Sequence, residues 1–432
     1  MKVCIIGTGY VGLVTGTCLA DMGNDVTCVD INKKIIDNLK KGVIHIFEPG
    51  LSELVKRNAK EKRLSFTTDY NTAVKDSEII FIAVGTPQKD DGSADLSYIF
   101  SAAKGIAEHM DSYKVIVVKS TVPVGTSEKV REVIKENLKR KIEFDVADNP
   151  ETLREGEAIK DFTNPDRVIL GTDSEKAKTI MHELYKGLER ADKPIIFTDI
   201  HSAELIKYVS NAMLAIRISF MNQIAPLCEK VGADIKAVAK GVGLDSRIGP
   251  RFLQAGAGYG GSCFPKDIRA LAYNLKQHGL GSEILDATDQ VNEKTKKSII
   301  HKVKKLVPDL KDKKIAIWGL AFKPKTDDMR EAPSITLIKQ LQSEGAKVRV
   351  FDPEAITTSK KYLENIEYAE NPYHALEGCD AVVLITEWDE FRNLDKQKMK
   401  QLLNKPNFID ARNVYDPKEM KSLGFNYLGV GR

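Results

Sequence analysis

The chain has 432 residues, 42% of them hydrophobic and 29% charged, and its formal net charge is +4. That length exceeds what one hydrophobic core usually organises and predicts two or three domains. The composition excludes a disordered or fibrous chain, and the small net charge argues against nucleic acid as a partner despite lysine-rich stretches at 311–314 and 396–405. Met1 leads directly into the strand-like Val3-Cys4-Ile5-Ile6, leaving no room for a signal peptide. Even the most apolar stretch, 209–228, is interrupted by Arg217 and Asn222, so no membrane partner is expected and the expected setting is cytoplasmic.

In chain order, unbroken apolar runs at 3–6, 26–29, 79–84 and 115–119 predict strands buried on both faces, as in a parallel α/β sheet. Further runs at 145–147 and 168–171 extend it, giving a Rossmann-like domain over 1–195. From 199 to 232 apolar residues recur at helical spacing for about nine turns, with Pro226 the one strong breaker. Helical patterns at 267–278 and 282–306 follow, so 196–305 reads as an all-α connector, and a helix this long suits a dimer interface.

The α/β pattern resumes over 306–432, with a strand at 315–319 and a helix after Pro333. Gly345-Ala346-Lys347-Val348-Arg349-Val350-Phe351-Asp352 matches Gly23-Asn24-Asp25-Val26-Thr27-Cys28-Val29-Asp30 in spacing, and 379–386 mirrors 77–86. The predicted fold is therefore α/β, with two Rossmann-like domains joined by a long central helix and an all-α connector.

Gly7-Thr8-Gly9-Tyr10-Val11-Gly12 fits G-x-G-x-x-G between a buried strand and a helix. Gly7 permits the tight turn, Gly9 lets backbone approach a pyrophosphate, Gly12 allows close packing, and the helix N-terminus faces the phosphates. Asp30 ends the second strand, where an acid accepts hydrogen bonds from the ribose 2′-OH and repels a 2′-phosphate, which favours NAD over NADP; Lys33 and Lys34 speak for NADP.

Six cysteines lack the paired spacing of zinc sites or disulfide frameworks, and no metal site is expected. Five lie in apolar patterns. Cys263 instead ends the glycine-rich 256–262 loop, just before a helix starting near Pro265 and beside Lys266, a position whose positive potential favours thiolate. Lys207 and Asn211, spaced i, i+4, project from one helix face.

Together, Gly7 to Gly12, Val84-Gly85-Thr86-Pro87, Lys119-Ser120-Thr121-Val122-Pro123, Asn149-Pro150-Glu151, Glu204 to Tyr208 with Asn211, Gly260 to Asp267, and Gly319 to Lys323 resemble the UDP-glucose/GDP-mannose dehydrogenase family over essentially the whole chain. The resemblance implies oxidation of the C6 alcohol of a UDP-sugar to a carboxylate with two NAD, through a thiohemiacetal and a thioester on Cys263. Lys207 is then the oxyanion stabiliser and Asn211 its helper, with Asp267, Glu151 and Thr121 candidates for proton transfer through a water. It implies NAD contacts at Thr86, Thr121, Glu155, Lys266 and Arg330. It implies substrate contacts at Glu151, Thr152, Leu153, Glu155, Lys207, Asn211, Phe252, Leu253, Gly256, Gly260 and Lys323, with Arg247 donated across a homodimer built on the central helix. Thr152 stands where many relatives carry Phe, and Ile35 where a basic residue often follows the ribose acid.

Within that family the Cys-Phe-Pro-Lys-Asp wording and Lys323-Pro324 favour UDP-glucose; GDP-mannose would share NAD, Cys263 and Lys207. A non-catalytic dinucleotide-binding regulator is the alternative of another class, and retention of Cys263, Lys207, Asn211 and Asp267 together argues against it.

Overall fold

The computed structural model describes residues 1–189 and 193–432, which form two compact units, Met1–Ser210 and Asn211–Arg432. In the first unit the predicted apolar runs form strands β1 (Lys2–Ile6), β2 (Asp25–Val29), β3 (Leu64–Thr67), β4 (Ile79–Ile82), β5 (Lys114–Val118), β6 (Phe144–Asp148), β7 (Val168–Gly171) and β8 (Ile195–Thr198). They make one sheet in the order β3-β2-β1-β4-β5-β6-β7-β8. Every residue of β4 and β5 is buried, as continuous Val and Ile runs require when helices cover both faces. The order reverses between β1 and β4, the crevice where doubly wound sheets bind ligands.

The run at 168–171 joins the sheet as expected, but β7 lies antiparallel to β6, with Asp148 opposite Gly171. Between those strands lie the 149–157 turn, the short helix Ala158–Thr163 and residues 164–167.

In the second unit, β9 (Lys314–Trp318), β10 (Lys347–Phe351), β11 (Glu367–Tyr368), β12 (Ala381–Leu384), β13 (Asn407–Asp410) and β14 (Asn426–Gly429) form an all-parallel sheet ordered β11-β10-β9-β12-β13-β14. That is the same winding as β3-β2-β1-β4-β5-β6, so the repeat seen in the sequence is a repeat of topology. The long helix runs Ile200–Val231 with Pro226 inside it, and helices Phe264–Gln277 and Glu283–Leu306 follow. Among the described residues no helix is long and apolar enough to cross a membrane.

The first glycine turn is sterically determined. Gly7 has φ +101°, and a Cβ on Gly12 would stand 2.0 Å from the Gly7 carbonyl oxygen. Gly12→Ala is therefore expected to destabilise the first unit by about 3 kcal/mol or more, because the obstructing atom is backbone and cannot swing away. Thermal unfolding checks this, and a midpoint equal to wild type would mean that the turn relaxes freely.

Candidate functional site

At the dinucleotide turn the helix Tyr10–Asp21 begins directly after Gly9, presenting unpaired N–H groups and its positive dipole end. A Cβ on Gly9 would meet nothing within 4 Å, so no protein atom demands glycine there; space for a phosphate does. Asp30 is half-buried at the end of β2, where Oδ2 accepts from Thr8 N at 2.8 Å and Thr8 Oγ1 at 2.7 Å, and Oδ1 accepts from Asn32 N at 2.9 Å. Oδ1, which accepts a single bond, keeps acceptor capacity for a ribose hydroxyl. The counterpart in the second unit, Asp352, is wholly buried and accepts from Leu320 N, Ala321 N, Trp388 Nε1, Glu354 N and Ala355 N. A Cβ on Gly319, the counterpart of Gly7, would lie 2.3 Å from Thr386 Cβ. The residues present thus fit a dinucleotide in the first unit, while the matching acid of the second is consumed by its own fold.

Beyond β4 and β5 the structure brings Thr86 and Thr121 together, with Thr86 Oγ1 donating to the Thr121 carbonyl at 3.0 Å. Nearby, Lys207 Nζ and Glu151 Oε2 form an ion pair at 3.0 Å with side chains only 8% and 6% exposed. The 149–151 turn is pinned from three sides. Lys119 Nζ donates to Asn149 Oδ1 at 3.1 Å and to the Pro150 carbonyl at 3.4 Å, Tyr185 Oη donates to Asn149 Oδ1 at 2.7 Å, and Asn149 Nδ2 donates to the Ile169 carbonyl at 2.8 Å. Burial holds the Lys119 ammonium down to about 8, opposed by the charges of Glu151 and Asp148. Burial, then the nearby Glu204, pushes the Asp148 carboxyl well above the usual range. Glu204 in turn accepts from Gly125 N at 2.7 Å and Ser127 N at 2.8 Å, fixing the helix Thr126–Asn137.

In the second unit Cys263 is the N-cap of Phe264–Gln277, with Pro265 in the first turn where its missing N–H costs nothing. Asp267, 1% exposed, accepts from Asn211 Nδ2 at 2.6 Å and from Lys266 Nζ at 2.7 Å, and its own N–H donates to the Cys263 carbonyl at 2.8 Å. The loop before Cys263 is laced to its surroundings. Asn292, wholly buried, bonds both backbone groups of Tyr259 at 2.9 and 3.0 Å, and Gly261 N donates to the Arg330 carbonyl at 2.7 Å. Gly256 N donates to Asn222 Oδ1 at 2.8 Å. Phe252 adopts φ +62°, rare for a side chain of this size, and its ring lies 6.2 Å from that of Phe264. The other five cysteines are buried, and burial pushes the Cys379 thiol up to about 11 and those of Cys18 and Cys28 to about 12.

With this geometry in view, comparison with known proteins identifies the chain's kin. The pattern described as the UDP-glucose/GDP-mannose dehydrogenase family, NAD binding domain, matches residues 1–189; the family's central domain matches 201–294 and its UDP binding domain 316–417. The chain belongs to the UDP-glucose/GDP-mannose dehydrogenase family. It is 48% identical over 436 residues to a UDP-glucose 6-dehydrogenase of Rhizobium meliloti, covering 100% of both chains. It is also 48% identical to a UDP-glucose 6-dehydrogenase of Bacillus subtilis, covering 100% of this chain and 93% of that one. Among solved structures, a UDP-glucose dehydrogenase from the hyperthermophilic archaeon Pyrobaculum islandicum superposes with a TM-score of 0.91 at 37% identity, covering 96% of this chain and 95% of that one. The protein is thus an oxidoreductase of this family, and its cofactor is NAD.

Among the family residues expected from the sequence, Glu151 meets Lys207, Thr86 meets Thr121, and Asn211, Lys266 and Asp267 form one cluster. Others are held locally. Arg247 is exposed and bonds Asp245 in its own turn, and Arg330 bonds Asp328. Lys323 lies with its ammonium 5.6 Å from the Phe322 ring centroid, and Phe322 packs on Gly261. Leu253 is buried and Thr152 is partly exposed. Sequence reasoning quoted Lys119 only as part of a motif and passed over Asn292 and Glu48. A lysine directly after an all-apolar strand was the available signal for the first.

Lys119 has a measurable signature. A lysine whose folded value is near 8, against 10.5 when unfolded, contributes stability above the unfolded value that is lost as pH falls through the folded one. Relative to Lys119→Met, wild type should gain about 1 kcal/mol per pH unit between roughly pH 8 and 10 in denaturant unfolding. Parallel pH profiles for the two proteins would remove this assignment.

Proposed function

We propose that the chain oxidises the C6 alcohol of UDP-glucose to a carboxylate, giving UDP-glucuronate with two NAD reduced per sugar and Cys263 as covalent nucleophile. The observation that carries this reading is Cys263 at a helix N-cap, with the buried Asp267 one turn on and held by Asn211 and Lys266. A thiol at a helix N-terminus lies in positive potential, which favours the nucleophilic thiolate. Full-length identity of 48% to proteins named UDP-glucose 6-dehydrogenase supports this sugar over GDP-mannose.

Bound NAD supplies the hydride acceptor for each of the two oxidations. Lys207, ion-paired to Glu151, is the cation that stabilises the oxyanion at C6. Cys263 Sγ adds to the carbonyl carbon of the first product, an aldehyde, to form a thiohemiacetal. Loss of a second hydride leaves a thioester, and water cleaves it to release the carboxylate and return the thiol. Asn211 holds Asp267 through its amide, and Asp267, Glu151 and Thr121 are the groups that carry protons to and from that water. The 151–155 segment, the 252–260 loop, Arg247 and Lys323 are the proposed sugar-nucleotide contacts. Tyr10 and Val11 with the glycine turn, Asp30, Thr86, Glu155, Lys266 and Arg330 are the proposed NAD contacts.

A homodimer through the central helix belongs to the same reading. Leu205, Val209, Met213, Phe220 and Leu227 recur at intervals of four and seven along Ile200–Val231 and are 40–57% exposed, an apolar stripe of the kind that a second copy covers. The setting proposed is cytoplasmic, in keeping with six cysteines that are all free thiols.

Purified protein given UDP-glucose and NAD is expected to form about two NADH per sugar, read by absorbance, and far fewer with GDP-mannose. One NADH per sugar would sink the covalent route. Cys263→Ser should lower steady turnover by about a thousandfold or more, since losing a nucleophile removes a whole pathway. Phe220→Asp should shift the protein to a monomer in light scattering, and an unchanged mass would move the interface elsewhere.

A further inference from the structure

We propose that Glu48 is a positioning residue that ties the 151–157 segment to the dinucleotide turn, so that sugar-nucleotide affinity depends on a carboxylate that touches neither ligand. Its importance for the sugar rests on the functional reading above; the tie itself does not.

Glu48 lies in the turn between helices Lys33–Lys40 and Leu51–Lys60 and is 7% exposed. Oε2 accepts from Gly156 N at 2.6 Å, and Oε1 accepts from Ala158 N at 2.8 Å. Oε2 also accepts from the hydroxyl of Tyr10, the first residue of the glycine-turn helix, and that hydroxyl accepts from Gly156 N at 3.0 Å. One buried carboxylate thus gathers donors from segments 38 and 108 residues away in sequence. Burial and the adjacent Glu48 push the Tyr10 phenol well up, so it stays protonated and keeps donating.

The backbone on each side is shaped for this grip. Gly50 takes φ +80° to start its helix, and a Cβ there would come 3.8 Å from Ile159 Cδ1, so the turn carrying Glu48 rests on the helix Ala158–Thr163. Gly156 likewise takes φ +80°, turning its N–H inward. Without an acceptor at Glu48, the buried Ala158 N–H would lose its partner and Gly156 N would keep only the Tyr10 hydroxyl, so the segment carrying Glu151, Thr152, Leu153 and Glu155 would lose its charged anchor at the end nearer the cofactor turn.

Glu48→Gln tests the tie, because it keeps the shape but turns one acceptor into an N–H2 facing an N–H. Amide exchange in a peptide spanning 154–160 should quicken about tenfold or more, the equivalent of one charge-assisted hydrogen bond. KM for UDP-glucose should rise by about the same factor, while kcat and the dissociation constant of NADH alone change less than about threefold. Unchanged exchange overturns the tie. Faster exchange with an unchanged KM overturns its role in sugar binding, and equal losses for NADH and UDP-glucose would mark a general weakening of the domain, which also overturns that role. Should Glu48→Gln fail to fold, Tyr10→Phe carries the exchange test, with faster exchange expected and unchanged exchange overturning the tie. If wild type itself leaves UDP-glucose untouched, the functional reading fails while the exchange comparison still decides the tie.

Discussion

The Glu151–Lys207 pair is held almost entirely out of water, and much around it follows from that. Two charges lose several kcal/mol of hydration each on burial, and their attraction repays this only when geometry is close and the remaining donors and acceptors are met. The geometry is held by fixing the backbone on the carboxylate's side, with Lys119, Tyr185 and the Ile169 carbonyl all bound to Asn149 or Pro150, while Glu151 Oε1 stays buried without a hydrogen-bond partner. A second ammonium, Lys119, feels Glu151 and lowers the Asp148 carboxyl against the rise that burial and Glu204 cause, so the cluster behaves as a set. Removing one member leaves the others with uncompensated charge, which is costlier than the pair is stabilising.

The same device recurs wherever distant segments meet. Asp267 joins the central helix to the helix after Cys263, Glu204 caps a helix of the first unit, and Asp410, at the end of β13, takes Tyr415 N and Tyr427 Oη. Apolar packing brings the layers together, but it is non-directional and does not set which atoms face one another. Buried carboxylates do, because a missing donor is penalised at once. The loop before Cys263 is governed likewise by the Asn292 amide, which stands in for a neighbouring strand, and by the left-handed backbone of Phe252, whose strain is tolerated where a ring must face Phe264.

Much of this was legible in the sequence. Apolar runs located six strands of the first sheet and β9, β10 and β12 of the second to within about two residues, because burial on both faces leaves few polar positions to confuse the period, while β3, β8, β11, β13 and β14 were not read from the sequence. The repeat from Gly23 to Asp30 and from Gly345 to Asp352 announced the second winding. What stayed hidden depends on partners far away in the chain. The reversal of β7 has no mark within the apolar run at 168–171, and the tasks of Glu48 and Asn292 are set by donors 33 or more residues distant. A glutamate before a proline in a turn and an asparagine inside a helix carry no local mark of what they bind. Lys119 was quoted within its motif, but only the fold shows its ammonium reaching back to the 149–150 turn.

The filled carboxylate of Asp352 bears on how a duplicated architecture keeps its halves from competing. The second winding has a strand-end acid too, but it faces inward as a rivet for five neighbouring donors. A vacancy closed in that way cannot be reopened by changing one residue, since freeing the acid would orphan every group it serves. The likeness of the halves therefore lies in their skeletons, while the capacity for confusion between them is welded shut.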